Sequence, residues 1–196
     1  MNKFIIGITG NIGSGKSTFA KWFNDLDCCI IDLDYTAKTL YFDDAFRQNV
    51  IDILGIDPLD GNKLKTKEIS DIIYSHEDKF NKLTQLFSQF LPSIISKIIN
   101  DCNKNYIIID AALLFEYDLD KLCDITICIF APLDVRYERI ITFRNNNFDY
   151  NRFIQIDSHQ LSNDVKCKKA DFCVKNISDL EHLRNEFLKI SKKIIK

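Results

Sequence analysis

The first 26 residues restrict the architecture of this chain more than any other stretch. Phe4 to Ile8 is a short apolar run of strand character, Gly10 to Gly15 is a glycine-rich turn, and Lys16 to Leu26 is a helical segment offering Phe19, Ala20, Trp22 and Phe23 for packing. Between strand and helix, Gly10-Asn11-Ile12-Gly13-Ser14-Gly15-Lys16-Ser17 has the spacing GxxxxGK(S/T). Glycines at those places let the backbone curl until successive N–H groups face inward. The helix that follows adds its positive end, so the segment is built to cradle phosphate oxygens. Asn11, Ile12, Gly13, Ser14, Gly15, Lys16, Ser17 and Thr18 are the candidate nucleotide contacts. Lys16 is expected to reach the β and γ phosphates of ATP, Ser17 to offer its hydroxyl to Mg²⁺, and Thr18 to donate to the α phosphate. A glycine-rich turn without a ligand is the alternative, and the flanking strand and helix argue against it.

Further along, Cys28 to Ile31 is a second apolar strand running into Asp32-Leu33-Asp34, and Tyr106 to Ile109 is a third, ending at Asp110. Both are continuous apolar runs, as parallel strands covered on two faces require. Between them, apolar residues recur at helical spacing: Phe46, Val50 and Leu54, then Ile69, Ile72 and Ile73, then Leu83, Leu86, Phe87, Phe90, Ile94, Ile95 and Ile98, with Gly55 to Gly61 as a break. So much helix exceeds a simple crossover and points to an inserted substrate-binding region. Ile125 to Phe130 is a fourth strand and Leu133 to Phe143 a helix that brings Arg136, Arg139 and Arg144 near one another. Asn145 to Asn147 forms a turn, and Tyr150 to Leu161 a further helix. Asp171 to Val174 is a last strand, and Ser178 to Lys196 a helix with Ser178 as N-cap and Glu181 completing a capping box. Alternating strands and helices imply an α/β fold, a doubly wound parallel sheet with a five-stranded core. With the glycine-rich loop after its first strand, that sheet resembles the P-loop NTPase, nucleotide-kinase-like kind. One domain, 1–196, is expected: core about 1–34, 104–135 and 168–196, helical acceptor-binding insert about 35–103, and helical lid about 136–167.

A net charge of −2 gives no global positive field for nucleic acid or an anionic membrane, so phosphate affinity has to be local. Lysines greatly outnumber arginines, which makes each arginine, with its bidentate fork for phosphate, informative. The seven cysteines form no CxxC pair and are odd in number, against a zinc site or a disulfide framework; buried thiols in a reducing cytosol are expected. Met1 to Ile8 is too short for a signal peptide, and no run approaches the roughly 20 apolar residues of a membrane span, so the expectation is a cytoplasmic protein. Asn103-Lys104-Asn105 lacks the aspartate of a guanine-reading NKxD element, and the chain is short for a motor with its coupling elements. A small-molecule kinase remains.

Several segments together resemble the dephospho-CoA kinase family. Gly7 to Thr18 is similar to its GLTGGIGSGKST, Ile31-Asp32-Leu33-Asp34 to its (I/V)DAD, Asp110 to Glu116 to its D-x-P-L-L-F-E, and Ala170 to Asn176 to its ADxVIxN. Leu91, Ala112, Leu33 and Asn163 stand where that family usually has His, Pro, Ala and a lid arginine. The resemblance implies an ATP-dependent phosphotransferase acting on the ribose 3′-hydroxyl of dephospho-CoA, with ATP, Mg²⁺ and the acceptor as its small-molecule partners. A monomer is the default expectation, with an oligomer left open.

A carboxylate that orients the acceptor hydroxyl and takes its proton suits this chemistry, and the resemblance gives that role to Asp34. Asp32 would support Mg²⁺ through bound water, and Asp110 would do so as the acid ending its strand. For all three, helix capping is the competing assignment. Arg144 and Arg139 correspond to basic positions of the lid, with solvated surface charge as the alternative. Asn176 resembles an adenine-proximal residue, Gln160 a lid glutamine, and Glu116 an acceptor-side acid; Lys166 or Lys168 would substitute for the lid cation missing at Asn163. Leu113, Leu114 and Phe115 are read as packing residues. Two other functions stay open: another nucleoside or nucleotide kinase, and a regulatory module that binds ATP without transferring phosphate.

Overall fold

The computed structural model describes residues 3–143 and 148–195. Five strands, β1 (Phe4–Thr9), β2 (Cys29–Asp32), β5 (Tyr106–Asp110), β6 (Ile125–Phe130) and β7 (Phe172–Lys175), form one parallel sheet in the order β2-β5-β1-β6-β7. Because alternate side chains leave a strand on opposite faces, Ile107 and Ile109 of β5 enter one core cluster while Ile108 enters the other. One face is covered by α1 (Lys16–Lys21) and α9 (Leu180–Ile194), where Phe19, Phe23 and Phe187 pack edge to face or tilted. The other is covered by α2 (Leu33–Leu40), α3 (Asp44–Leu54), α4 (Thr66–Ser75) and α5 (Glu77–Asp101). The five-stranded sheet expected from sequence is present, and in register Ile8 lies beside Asp110, and Asp110 beside Asp32. The C-terminal ends of β1, β2 and β5 therefore meet at one edge, where open α/β sheets place their ligands.

Local details depart from expectation. The first helix is α-helical only to Lys21 and continues as a 3₁₀ turn, Trp22–Leu26. The break after α3 contains a short hairpin, β3 (Leu59–Asp60) with β4 (Lys63–Leu64), turning at Gly61 with φ of 57°. The helix from Tyr150 stops at Ser158 (α7), and a separate helix α8 (Asn163–Lys169) follows, capped by Ser162, whose side chain accepts from the Val165 N–H. The last helix is capped by Asp179, which accepts from His182 N–H at 2.8 Å, so the Ser178–Glu181 capping box does not form. A carboxylate nearer the helix start took that place. Arg144 and the turn at Asn145 to Asn147 lie outside the described residues.

The cysteine expectation is corrected as well. Cys167 in α8 and Cys173 in β7 are joined by a disulfide, their Cα atoms 5.1 Å apart. An odd total and the lack of a framework say nothing against one local pair six residues apart, and here a helix end and a strand start face each other at bridging distance. The other five are thiols; burial pushes Cys28 and Cys29 up to about 11, and Cys123 and Cys128 up to about 12. None of these four is a thiolate nucleophile at neutral pH. No described helix is long and apolar enough to cross a membrane.

Candidate active site

The loop from Gly10 to Gly15 takes conformations that side chains would block. Gly13 has φ of 81° and lies against α6 (Leu133–Phe143), where a Cβ would come within 2.4 Å of the Arg136 carbonyl oxygen. Gly15 has φ of 94°, and a Cβ there would reach 2.5 Å from Asn176 Nδ2. With both residues glycine, the loop encloses a pocket of about 290 Å³ lined by Gly10 to Ser17, Asp34, Leu113 and Gln160. Ser14 N–H donates to Asn11 O at 3.0 Å, which tightens the turn. Inside the pocket, Lys16 Nζ donates to Asp110 Oδ1 and lies 3.4 Å from Ser17 Oγ. Ammonium, hydroxyl and carboxylate thus converge where the triphosphate end of a nucleotide would sit.

These donors fit Mg²⁺. Ser17 and Asp110 offer hard oxygens, and among the described residues no group of three or more His, Cys, Asp or Glu side chains forms an all-protein metal cage. That pattern suits an ion carried in with phosphate oxygens and water. Asp32 also serves the backbone, its Oδ1 accepting the Tyr35 N–H at 3.0 Å and capping α2. Asp34, in the first turn of the same helix, is exposed and lines two cavities at once, the loop pocket and a neighbouring cleft of about 300 Å³. That cleft lies among α2, α4 and α5, with Tyr41, Tyr74, Phe80, Phe87 and Tyr117 on its walls. The phenylalanine-rich start of α5 therefore divides its labour, since Phe80 and Phe87 face the cleft while Phe90 packs on Phe46. Leu113, read from sequence as packing, lines both cavities; Leu114 and Phe115 are buried.

On the other side of the loop a cavity of about 610 Å³ is bounded by Gly13, Gly15, Thr18, Arg139, Asn176 and Leu183, among others. Asn176 is buried; its Nδ2 donates to Ser14 O at 2.8 Å and its Oδ1 accepts from Arg139 Nη2 at 3.2 Å. Arg139 also donates to Ser178 O at 3.2 Å, and burial draws its guanidinium below the usual arginine range. Its Nη1 and the Ser14 hydroxyl are buried without a hydrogen-bond partner. Arg139 is thus not a freely solvated charge; it borders this cavity and is not among the residues lining the Lys16 pocket.

Two ion pairs, each with one fully enclosed cation, lie behind the loop. Arg136 is 3% exposed and forms a bidentate pair with Asp157, at 2.7 and 3.1 Å. Asp157 also accepts from Asn11 Nδ2 at 2.8 Å; burial alone would raise its carboxyl, but the bonds from Arg136 and Asn11 outweigh that and hold it below the usual range. Lys166 is fully buried, 3.0 Å from Glu116 Oε1, and donates to Ala112 O at 2.6 Å. Glu116 therefore faces Lys166 and the Leu161 N–H, from which it accepts at 2.8 Å, and does not line the aromatic cleft. Lys168 is exposed, and Asn163 donates to Ala131 O at 2.8 Å. A signal was there: Arg136 stands one turn before the buried Ile140, on the stripe α6 turns inward, and a charge on such a stripe implies a buried partner. Gln160 does reach the loop, accepting the Ile12 N–H at 3.1 Å.

The sequence matches the family model for dephospho-CoA kinase over residues 4–182. A dephospho-CoA kinase of Fusobacterium nucleatum is 31% identical over 184 residues, covering 93% of this chain and 94% of that protein. Among solved structures, a Thermus thermophilus protein superposes with a TM-score of 0.80 at 21% identity across the whole of both chains. Dephospho-CoA kinase from Campylobacter jejuni does so with 0.61 at 22% identity, covering 97% of this chain and 96% of that one; at such identities the likeness speaks for the fold. With the family model matching from the first strand into the last helix, and with a phosphate loop and parallel sheet of this construction, the chain belongs to the dephospho-CoA kinase family.

Proposed function

We propose that this chain transfers the γ-phosphoryl group of ATP to the ribose 3′-hydroxyl of dephospho-CoA, giving coenzyme A and ADP. One observation carries the reading: Asp34 stands on the wall shared by the phosphate loop's pocket and the aromatic cleft beside it. A hydroxyl brought in through the cleft meets a carboxylate at the point where the loop would present the terminal phosphate. Asp34 accepts the hydroxyl proton as the oxygen–phosphorus bond forms and the bond to ADP breaks. Lys16 leaves Asp110 for the β and γ phosphates, and its charge offsets that of the leaving ADP. Ser17 and Asp110 would hold Mg²⁺, which when bound neutralises phosphate charge and helps orient the γ-phosphoryl group. The base occupies the cavity bordered by Arg139 and Asn176, while α2 to α5 form the acceptor side. The segment from α6 to α8, with Arg144, acts as the lid, and the protein works in the cytoplasm.

The test is ADP formation from ATP·Mg²⁺ with and without dephospho-CoA, beside a panel of nucleosides and nucleoside monophosphates. The reading expects ADP release to depend on dephospho-CoA above the other acceptors. Preference for a nucleoside would make the chain a different small-molecule kinase, and nucleotide binding with no acceptor-dependent ADP would make it a regulatory module.

A further inference from the structure

Ile12 is gripped on both edges. Its N–H donates to Gln160 Oε1 at 3.1 Å, and its carbonyl oxygen accepts from Arg136 Nη1, also at 3.1 Å. Arg136 does not swing freely to do this. Nε is bonded to Ala131 O at 3.1 Å, Nη1 and Nη2 are forked onto the two oxygens of Asp157, and the guanidinium carbon lies 5.4 Å from the Phe153 ring centroid. Asp157 then reaches the residue before Ile12, accepting from Asn11 Nδ2 at 2.8 Å.

The peptide between Ile12 and Gly13 is planar and trans, so its carbonyl and its N–H point in opposite directions. A carbonyl drawn outward to Arg136 turns the Gly13 N–H inward, toward the space enclosed by the loop. Gly13 cannot relax sideways to compensate, because its Cα is pressed against the α6 backbone at Arg136. A glycine-rich loop is otherwise free to flip peptide planes, and an outside guanidinium is a means of preventing it.

We propose that Arg136, locked in place by Asp157, is a positioning residue of the nucleotide loop: it holds the Ile12–Gly13 peptide so that the Gly13 N–H is aimed at the phosphates of the bound nucleotide. The proposal rests on the loop binding a nucleotide, not on the identity of the acceptor. Asp157 contributes twice, by fixing the guanidinium and by tying down Asn11, so the start of the loop and the end of α7 move as one piece.

The experiment compares ADP·Mg²⁺ with adenosine, each titrated calorimetrically into the wild type and the double variant R136M/D157N. That variant removes both charges together, so no buried ion is left unpaired, and the introduced amide retains an oxygen for Asn11. Its fold is checked by thermal melting. Loss of aimed phosphate contacts is expected to weaken ADP by about tenfold or more while adenosine, which has no phosphate, stays within about twofold. A merely structural pair would weaken both ligands alike or neither, and either result overturns the proposal. Should the double variant fail to fold, D157N alone decides. Arg136 then loses its charged fork, ADP is expected to weaken by at least about threefold with adenosine unchanged, and equal effects on the two ligands refute the assignment. Since no acceptor is present, failure here leaves the dephospho-CoA assignment standing, and wild-type protein inactive toward dephospho-CoA would leave this assignment standing.

Discussion

Replacing Lys166 by methionine probes how α8 is joined to the end of β5. Lys166 is wholly buried, and burial pulls its ammonium below the usual lysine range against the opposing effect of Glu116. Glu116 keeps Oε1 on Lys166 and the Leu161 N–H, while Oε2 is buried with no partner. Methionine fills the same channel but leaves the carboxylate unpaired, and breaking a buried ion pair from one side costs about 3–5 kcal/mol. K166M should lose about 3–5 kcal/mol in urea unfolding at pH 7. K166M/E116Q, with both charges gone, should return to within about 1 kcal/mol of wild type. A loss below about 1 kcal/mol in K166M would refute the reasoning.

Two further changes have defined outcomes. Gly15→Ala places a methyl group 2.5 Å from Asn176 Nδ2 on backbone at φ of 94°, so it should cost about 2 kcal/mol or more in thermal unfolding and raise the KM for ATP by about tenfold; wild-type values for both would contradict the packing described. In denaturant without reductant, five of the seven cysteines should react with a thiol reagent, and C167S/C173S should lower stability by about 2 kcal/mol, as expected for closing so short a loop. Seven reactive thiols would remove the disulfide.

What the sequence disclosed and what it hid divide along physical lines. Strands such as β5, buried on both faces, are continuous apolar runs up to a terminal aspartate. The phosphate loop is legible because its function needs glycine at fixed spacing. Features set by competition among neighbours were harder. Ser178 and Asp179 are both good caps, and only the folded geometry chose Asp179. The division of labour between Asp32, which caps α2, and Asp34, which faces the cavities, depends on helix phase that a DxD pattern does not specify. The pairs Arg136–Asp157 and Lys166–Glu116 join residues 21 and 50 positions apart in sequence, and their charges masked their burial.

In the proposed function, phosphoryl transfer depends on Asp34 standing between nucleotide and acceptor, and steady-state kinetics of Asp34→Asn with ATP and dephospho-CoA tests that most directly. The amide keeps the size and lining of both cavities but cannot take the proton, so kcat should fall by about 10²–10⁴-fold with the KM for ATP nearly unchanged. Turnover at the wild-type level in that variant would contradict it.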